Sequence, residues 1–72
     1  MAEKHETVKL VRDAISRLSP EAREVVMLRD IEGYSYEEIS EITGLGIGTV
    51  KSRINRARSQ LREMLKEVYD VK

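Results

Sequence analysis

The sequence predicts an all-α protein of four helices, and three observations favour that class. Apolar residues recur at helical spacing along most of the 72-residue chain. One proline, four glycines and the absence of Phe and Trp leave little material for a β-sandwich or a barrel. Start and stop signals divide the chain into helices at about 4–18, 20–31, 36–43 and 47–68. We therefore expect a single four-helix domain over residues 1–72, with winged elements absent.

Local signals set the bounds of the first two helices. Ser19 is a suitable N-cap and Pro20 a suitable first helical residue for the second helix. Gly33 suits the left-handed residue that ends it, and Tyr34 can supply the apolar contact that follows such an end. The residues predicted to face the core are Val8, Val11, Ile15, Leu18, Ala22, Val25, Val26 and Leu28.

The last two helices are predicted to form a helix-turn-helix. Ser35 and Glu38 have the spacing of a capping box, which begins a short third helix. Gly44 ends that helix, and the fourth begins within three residues, as the motif requires. The residues predicted to face the core are Ile39, Ile42, Ile47, Val50, Ile54, Ala57, Leu61, Met64 or Leu65, and Val68.

Charge is distributed unevenly along the chain. The 13 basic and 13 acidic residues cancel overall, but residues 1–45 hold six basic and ten acidic side chains. Because the local field decides where a polyanion binds, the composition places a DNA-binding surface on the fourth helix. Residues 46–62 contain no acidic residue and five basic ones, Lys51, Arg53, Arg56, Arg58 and Arg62.

The outward half of the fourth helix carries residue types that read base edges. Arg and Lys bind guanine, Asn binds adenine and Ser binds either. Arg53 lies closer to the core boundary, where it could pair with Glu38 or contact phosphate, and Arg58 and Arg62 could contact phosphate or only solvent. Gly48 either lets the backbone approach DNA or is a loop residue without such a role. The outward residues are Gly48, Lys51, Ser52, Asn55, Arg56 and Ser59.

Residues 18–63, LSPEAREVVMLRDIEGYSYEEISEITGLGIGTVKSRINRARSQLRE, closely resemble region 4 of bacterial RNA polymerase sigma factors of the extracytoplasmic function (ECF) type. The most specific pieces are GYSYEEI and GTVKSRINRAR. The resemblance implies that the fourth helix reads the promoter −35 element in the major groove. It implies base reading by Lys51, Ser52, Asn55 and Arg56. Contacts with the DNA backbone are implied for Arg29, Ser35, Tyr36, Thr49, Arg53 and Arg58.

The family also implies two protein partners, the flap of the RNA polymerase β subunit and an anti-sigma factor. The sequence departs from the family at Ser40, where Ala is usual, at Gly46, where Pro or Ser is common, and at Asn55, a variable position that often carries a larger residue. Nothing corresponds to region 2 of a complete ECF sigma factor, so we expect an excised domain or a stand-alone protein resembling region 4.

Two other binding functions are compatible with the helix pattern, whereas catalysis is the least favoured class. A response-regulator output domain also has four helices, but Ser52 to Arg58 favours the sigma interpretation. A protein-interaction module bound by an anti-sigma factor would leave the arginines as solubilising groups. His5 lies near the amino end, and neither a metal-ligand spacing nor a phosphate-cradling loop occurs, so we expect no enzyme, no metal and no cofactor. The absence of cysteine and of an apolar run of membrane-spanning length suits a cytoplasmic protein.

Overall fold

The computed structural model describes the backbone of residues 2–69 and the side chains of residues 8–66. Its helices are α1 (Ala2–Ser16), α2 (Pro20–Val26), a π-helical segment (Met27–Ile31), α3 (Tyr36–Thr43) and α4 (Ile47–Tyr69). The described backbone contains no strand. The predicted all-α class with its helix-turn-helix is therefore confirmed. None of the described helices is both long and apolar enough to cross a membrane.

The predicted caps explain where α2 and α3 begin. The Ala22 N–H donates to Ser19 Oγ over 3.3 Å, and Pro20 occupies the first helical position. At α3, the Glu38 N–H donates to Ser35 Oγ over 3.0 Å, and the Ser35 N–H donates to Glu38 Oε1 over 2.8 Å. Both orphan donors of the capping box are therefore satisfied.

The second helix changes its winding where the sequence predicted a continuous α-helix. Residues 27–31 form π-type turns, and the Glu32 N–H donates to the Met27 carbonyl over 3.0 Å. Gly33 follows with φ +81°, and the Tyr34 N–H donates to the Leu28 carbonyl over 3.0 Å. A π segment holds one more residue in a turn than an α-helix does, which changes the direction of the side chains within it. Neither apolar spacing nor capping signals indicate such a change.

Helix α4 supplies residues to both parts of the core. One cluster joins α1, α2 and α4, and the other joins α2, α3 and α4. Consecutive residues of α2, Val25 and Val26, divide between them, so this short helix is anchored on both sides. The buried members are Ile15, Leu18, Val26 and Ala57 in the first cluster and Val25, Ile39, Val50 and Ile54 in the second.

Three residues predicted to face the core are exposed instead. Val8 and Ile42 are each 53% exposed and Ile47 is 39% exposed. Helical spacing gives a direction for a side chain but does not ensure that a neighbouring helix covers it, and a chain of this size has few helices to do so. The prediction for Val68 lies outside the described side chains. These exposed residues leave apolar surface available for contacts outside the described chain.

Candidate nucleic-acid interface

The turn between α3 and α4 is fixed by hydrogen bonds of both backbone and side chains. Gly44 has φ +78°, and its N–H donates to the Ser40 carbonyl over 2.8 Å. The Ser40 hydroxyl donates to the Leu45 carbonyl. Thr43 Oγ1 donates to the Ile39 carbonyl over 2.7 Å and accepts from the Leu45 N–H over 3.2 Å. Ser40, at a position where the family noted above usually has Ala, thus ties α3 directly to the turn.

The face of α4 opposite the core presents the four predicted base-reading residues. Val50 and Ile54 are fully buried and Ala57 nearly so, which fixes the rotation of the helix about its axis. The structure brings together on the exposed side Lys51, Ser52, Asn55 and Arg56. The arrangement matches that of a helix able to place several polar side chains in one groove.

The first turn of α4 presents free backbone donors and open space. The first helical hydrogen bond runs from the Val50 N–H to the Gly46 carbonyl over 2.9 Å, so the N–H groups of residues 47–49 precede it. Thr49 is exposed there. A Cβ built on Gly48 would meet no atom within 4 Å. Packing within the chain therefore does not require glycine at this position. The absence of a side chain leaves room for a ligand at the surface.

Tyr36 connects three elements at the edge of this face. The Arg29 guanidinium lies over its ring, 4.7 Å from the centroid, and Lys51 Nζ lies 5.5 Å from the same centroid. Arg29 Nη1 also donates to the Tyr34 carbonyl over 2.9 Å. Two cations are thus gathered on one aromatic ring by cation–π attraction.

Arg58 is bound to Asp30 of the π-helical segment. Its Nε donates to Asp30 Oδ2 over 3.0 Å, and Nη2 donates to Oδ1. The hydrogen bond with Asp30 raises the pKa of Arg58, and partial burial opposes that shift. Among the described residues this is the one ion pair. The pairing of Arg53 with Glu38, one of the two roles considered for Arg53, is therefore not formed.

Arg53 and Arg56 instead border an open cavity of about 380 Å³ between the start of α2 and α4. Its wall on the α2 side includes Glu21 and Ala22, so one carboxylate faces this basic region. No group of three metal-ligating side chains occurs among the described residues.

A family comparison decides what kind of helix-turn-helix this is. The sigma-70, region 4 family matches residues 9–61, which include all the elements of the site. The chain belongs to the sigma-70 region 4 family. The expected resemblance to region 4 is confirmed, and the response-regulator alternative is set aside.

Relatives of this region 4 domain carry the names of RNA polymerase sigma factors, and several are named as ECF sigma factors. It is 56% identical over 52 residues to the ECF RNA polymerase sigma factor SigE of Mycolicibacterium smegmatis, covering 72% of this chain and 20% of the relative. It is 44% identical over 54 residues to EcfG of Rhodopseudomonas palustris, covering 75% and 30%. The RNA polymerase sigma-E factor of Streptomyces antibioticus is 44% identical over 63 residues, covering 88% and 35%. The chain thus spans about a fifth to a third of the length of these curated relatives.

The remaining predicted site residues of the region 4 domain are divided between open and engaged positions. Thr49 is exposed, whereas the Ser35 hydroxyl oxygen already accepts a hydrogen bond and keeps its hydrogen to donate. Arg29, Tyr36 and Arg58 are held by contacts within the domain. Sequence reasoning missed Asp30 altogether. Its partner lies 28 residues away, and a lone acid at the end of a helix gives no signal of its own.

Proposed function

We propose that this region 4 domain binds the −35 element of promoter DNA and, as part of an ECF-type sigma factor, directs RNA polymerase to start transcription. The observation that carries the proposal is the exposed face of α4, which presents Lys51, Ser52, Asn55 and Arg56 on a helix fixed by buried Val50. No acidic residue interrupts residues 46–62. Membership of the sigma-70 region 4 family supports the same function.

In this proposal the four exposed residues of α4 read base edges in the major groove. A good bidentate contact contributes about 1–3 kcal/mol of discrimination against a wrong base. Residues around them position the domain on phosphates, which carry no sequence information but supply much of the affinity. The predicted phosphate contacts are Arg29, Ser35, Tyr36, Thr49, Arg53 and Arg58. Of these, Arg58 has to share its guanidinium with Asp30 or release it.

RNA polymerase and an anti-sigma factor are the proposed protein partners, and the cytoplasm is the proposed compartment. An open groove of about 320 Å³ between α1 and the π-helical segment offers a surface away from the base-reading residues. Met27 and Ile31, at 38% and 59% exposure, form much of its apolar floor, and Arg12 and Arg23 border it. Such a surface suits a partner helix with apolar and acidic residues. We assign it to the polymerase β flap.

The second candidate is that the domain acts mainly as a protein-interaction module held by an anti-sigma factor. The exposed apolar residues favour it, because the groove is available whether or not α4 is bound to DNA. The two functions are compatible on one domain. The family is one of transcription factors, and catalysis is no part of either candidate.

Selection of bound duplexes from a randomised DNA pool at low salt tests the proposal. We expect a short, non-palindromic motif of about half a helical turn, as a monomer with one recognition helix requires. A two-fold or repeated motif, or the absence of any motif, would contradict it.

Two matched double charge reversals show which surface of the domain binds DNA. The variant with Lys51→Glu and Arg56→Glu should no longer select a DNA motif. Lys9→Glu with Arg12→Glu makes the same change of net charge on exposed residues of α1, and should preserve the motif while reducing affinity only through the long-range field. Equal loss for both pairs would mean that total charge, and not the α4 face, drives binding.

A further inference from the structure

The lysine predicted to read bases is held by an aromatic ring on another helix. Lys51 Nζ lies 5.5 Å from the centroid of the Tyr36 ring. Lys51 is exposed, and a lysine stem in solvent samples many rotamers, so its ammonium has no fixed position of its own. Contact with a ring removes part of that freedom before DNA arrives.

The Tyr36 ring is itself well fixed. It packs against the buried cluster of Val25, Ile39, Val50 and Ile54, and it stands at the first position of α3, within the capping box of Ser35 and Glu38. On the same ring lies Arg29, at 4.7 Å, and the Tyr34 carbonyl accepts a hydrogen bond from that arginine. The ring is therefore a rigid reference point, whereas Lys51 is the flexible partner that it can orient.

We propose that Tyr36 is a positioning residue for base reading: its ring orients Lys51, so that discrimination at the base pair read by Lys51 depends on the ring of Tyr36. The inference rests on the proposed function. It differs from the phosphate contact implied for Tyr36, because a phosphate contact would use the hydroxyl and positioning uses the aromatic face. Tyr36→Phe keeps the face and removes the hydroxyl, and Tyr36→Leu removes the face and keeps apolar bulk.

The test is the base preference of the 72-residue chain and four variants, measured by selection and by affinities for every single-base change in the selected site. Lys51→Met should flatten preference at one or two base pairs. Tyr36→Leu should reduce preference at those same pairs by about two- to five-fold, the range expected for an exposed cation–π contact. Tyr36→Phe should leave the base preference at those pairs unchanged, and loss of a phosphate contact by its hydroxyl should weaken all duplexes evenly. In the double variant, Lys51→Met should add little at those pairs to the effect of Tyr36→Leu.

Other outcomes overturn the inference in distinguishable ways. Equal weakening of all duplexes by Tyr36→Leu, with preferences kept, would leave Tyr36 a structural or phosphate-binding residue. Loss of preference in Tyr36→Phe would assign the effect to the hydroxyl. A selected motif that Lys51→Met leaves unchanged would contradict the inference but not the proposed function. If the unaltered chain selected no motif, both the inference and the proposed function would be contradicted.

Nuclear magnetic resonance of the unaltered chain tests the contact without relying on a variant that folds. The side-chain methylenes of Lys51 should resonate upfield of those of Lys9 and Lys66, which are exposed, because the ring of Tyr36 shields them. Tyr36→Phe should retain the shift. Coincidence of the Lys51 signals with those of the two reference lysines would show that no ring lies beneath Lys51, and would overturn the inference.

Discussion

Arg58 of α4 binds the Asp30 carboxylate through two hydrogen bonds, although 28 residues separate the two in sequence. The pair fixes the π-helical segment to the middle of α4. Their side chains remain 38% and 36% exposed, so solvent screens the attraction. Bidentate geometry, more than burial, is what makes the contact specific.

Asp30→Asn is expected to lower the free energy of unfolding by about 0.2–1 kcal/mol, the range for a solvent-exposed ion pair. Chemical denaturation of the unaltered chain, Asp30→Asn, Arg58→Ala and the double variant gives the coupling free energy between the two side chains. This coupling free energy should decrease as salt is added. Because folding raises the pKa of Arg58, the ion pair contributes fully to the free energy of unfolding at any pH below the ordinary pKa of arginine. This contribution is lost only at a pH above that value. The coupling should therefore be equal at neutral and mildly alkaline pH, and additive single effects would contradict the pair.

The same substitution is expected to strengthen DNA binding. Asp30→Asn releases Arg58 for a phosphate, so affinity should rise and its salt dependence should steepen by up to about one phosphate contact. Fluorescence anisotropy over a salt series measures both. Asp13→Asn, which removes the same charge from an exposed position on α1, is the control and should change the slope little. If the two variants behave alike, Arg58 makes no phosphate contact.

Arg56→Ala is expected to lose sequence discrimination, by about 1–3 kcal/mol at the base it reads. Arg62→Ala removes an equal charge from another exposed position of α4 and should weaken binding slightly and evenly. Paired titrations with the selected duplex and a scrambled duplex measure the difference. A base-reading role for Arg56 is ruled out by equal losses on the two duplexes.

Gly44→Ala and Gly48→Ala are expected to change stability in opposite directions. Gly44 has φ +78°, where a Cβ costs about 1–2 kcal/mol, so its replacement should destabilise the domain. Gly48 lies inside α4 with open space around it, so alanine should stabilise by about 0.5–1 kcal/mol. If DNA approaches the backbone there, Gly48→Ala should nevertheless weaken binding. Thermal unfolding and duplex affinity of both variants separate the two effects, and unchanged affinity would assign Gly48 no role in DNA binding.

The features that could be predicted from sequence are those fixed by neighbours along the chain. The capping box of Ser35 and Glu38 and the left-handed Gly33 and Gly44 each depend on a few adjacent residues. The observed range of α3, Tyr36–Thr43, equals the predicted one for this reason. The exposure of the α4 face also follows from spacing, because buried Val50 and Ile54 set its rotation.

Most of the features that could not be predicted depend on contacts between different elements. The Asp30–Arg58 pair joins residues 28 positions apart, and Tyr36 gathers Arg29 and Lys51 from two other elements. The π winding is confined to residues 27–31, and no capping or spacing signal in the sequence indicates it. Arg53 illustrates the limit, since Glu38 was a plausible partner by position, but the capping box already engages Glu38. Ile42 illustrates the same limit for the core. Its helical spacing predicts the direction of its side chain but not whether another helix covers that side chain, which is 53% exposed.

The π-helical segment makes the contacts of α4 sensitive to the length of a different part of the chain. Arg29 and Asp30 are neighbours in this segment, yet one contacts the Tyr36 ring and the other binds Arg58. Deleting one residue would allow the segment to wind as an ordinary α-helix, and both side chains would turn away from their partners together. If the proposed function holds, a loss of one residue between α2 and α3 would thus alter DNA sequence preference without changing any residue proposed to read a base.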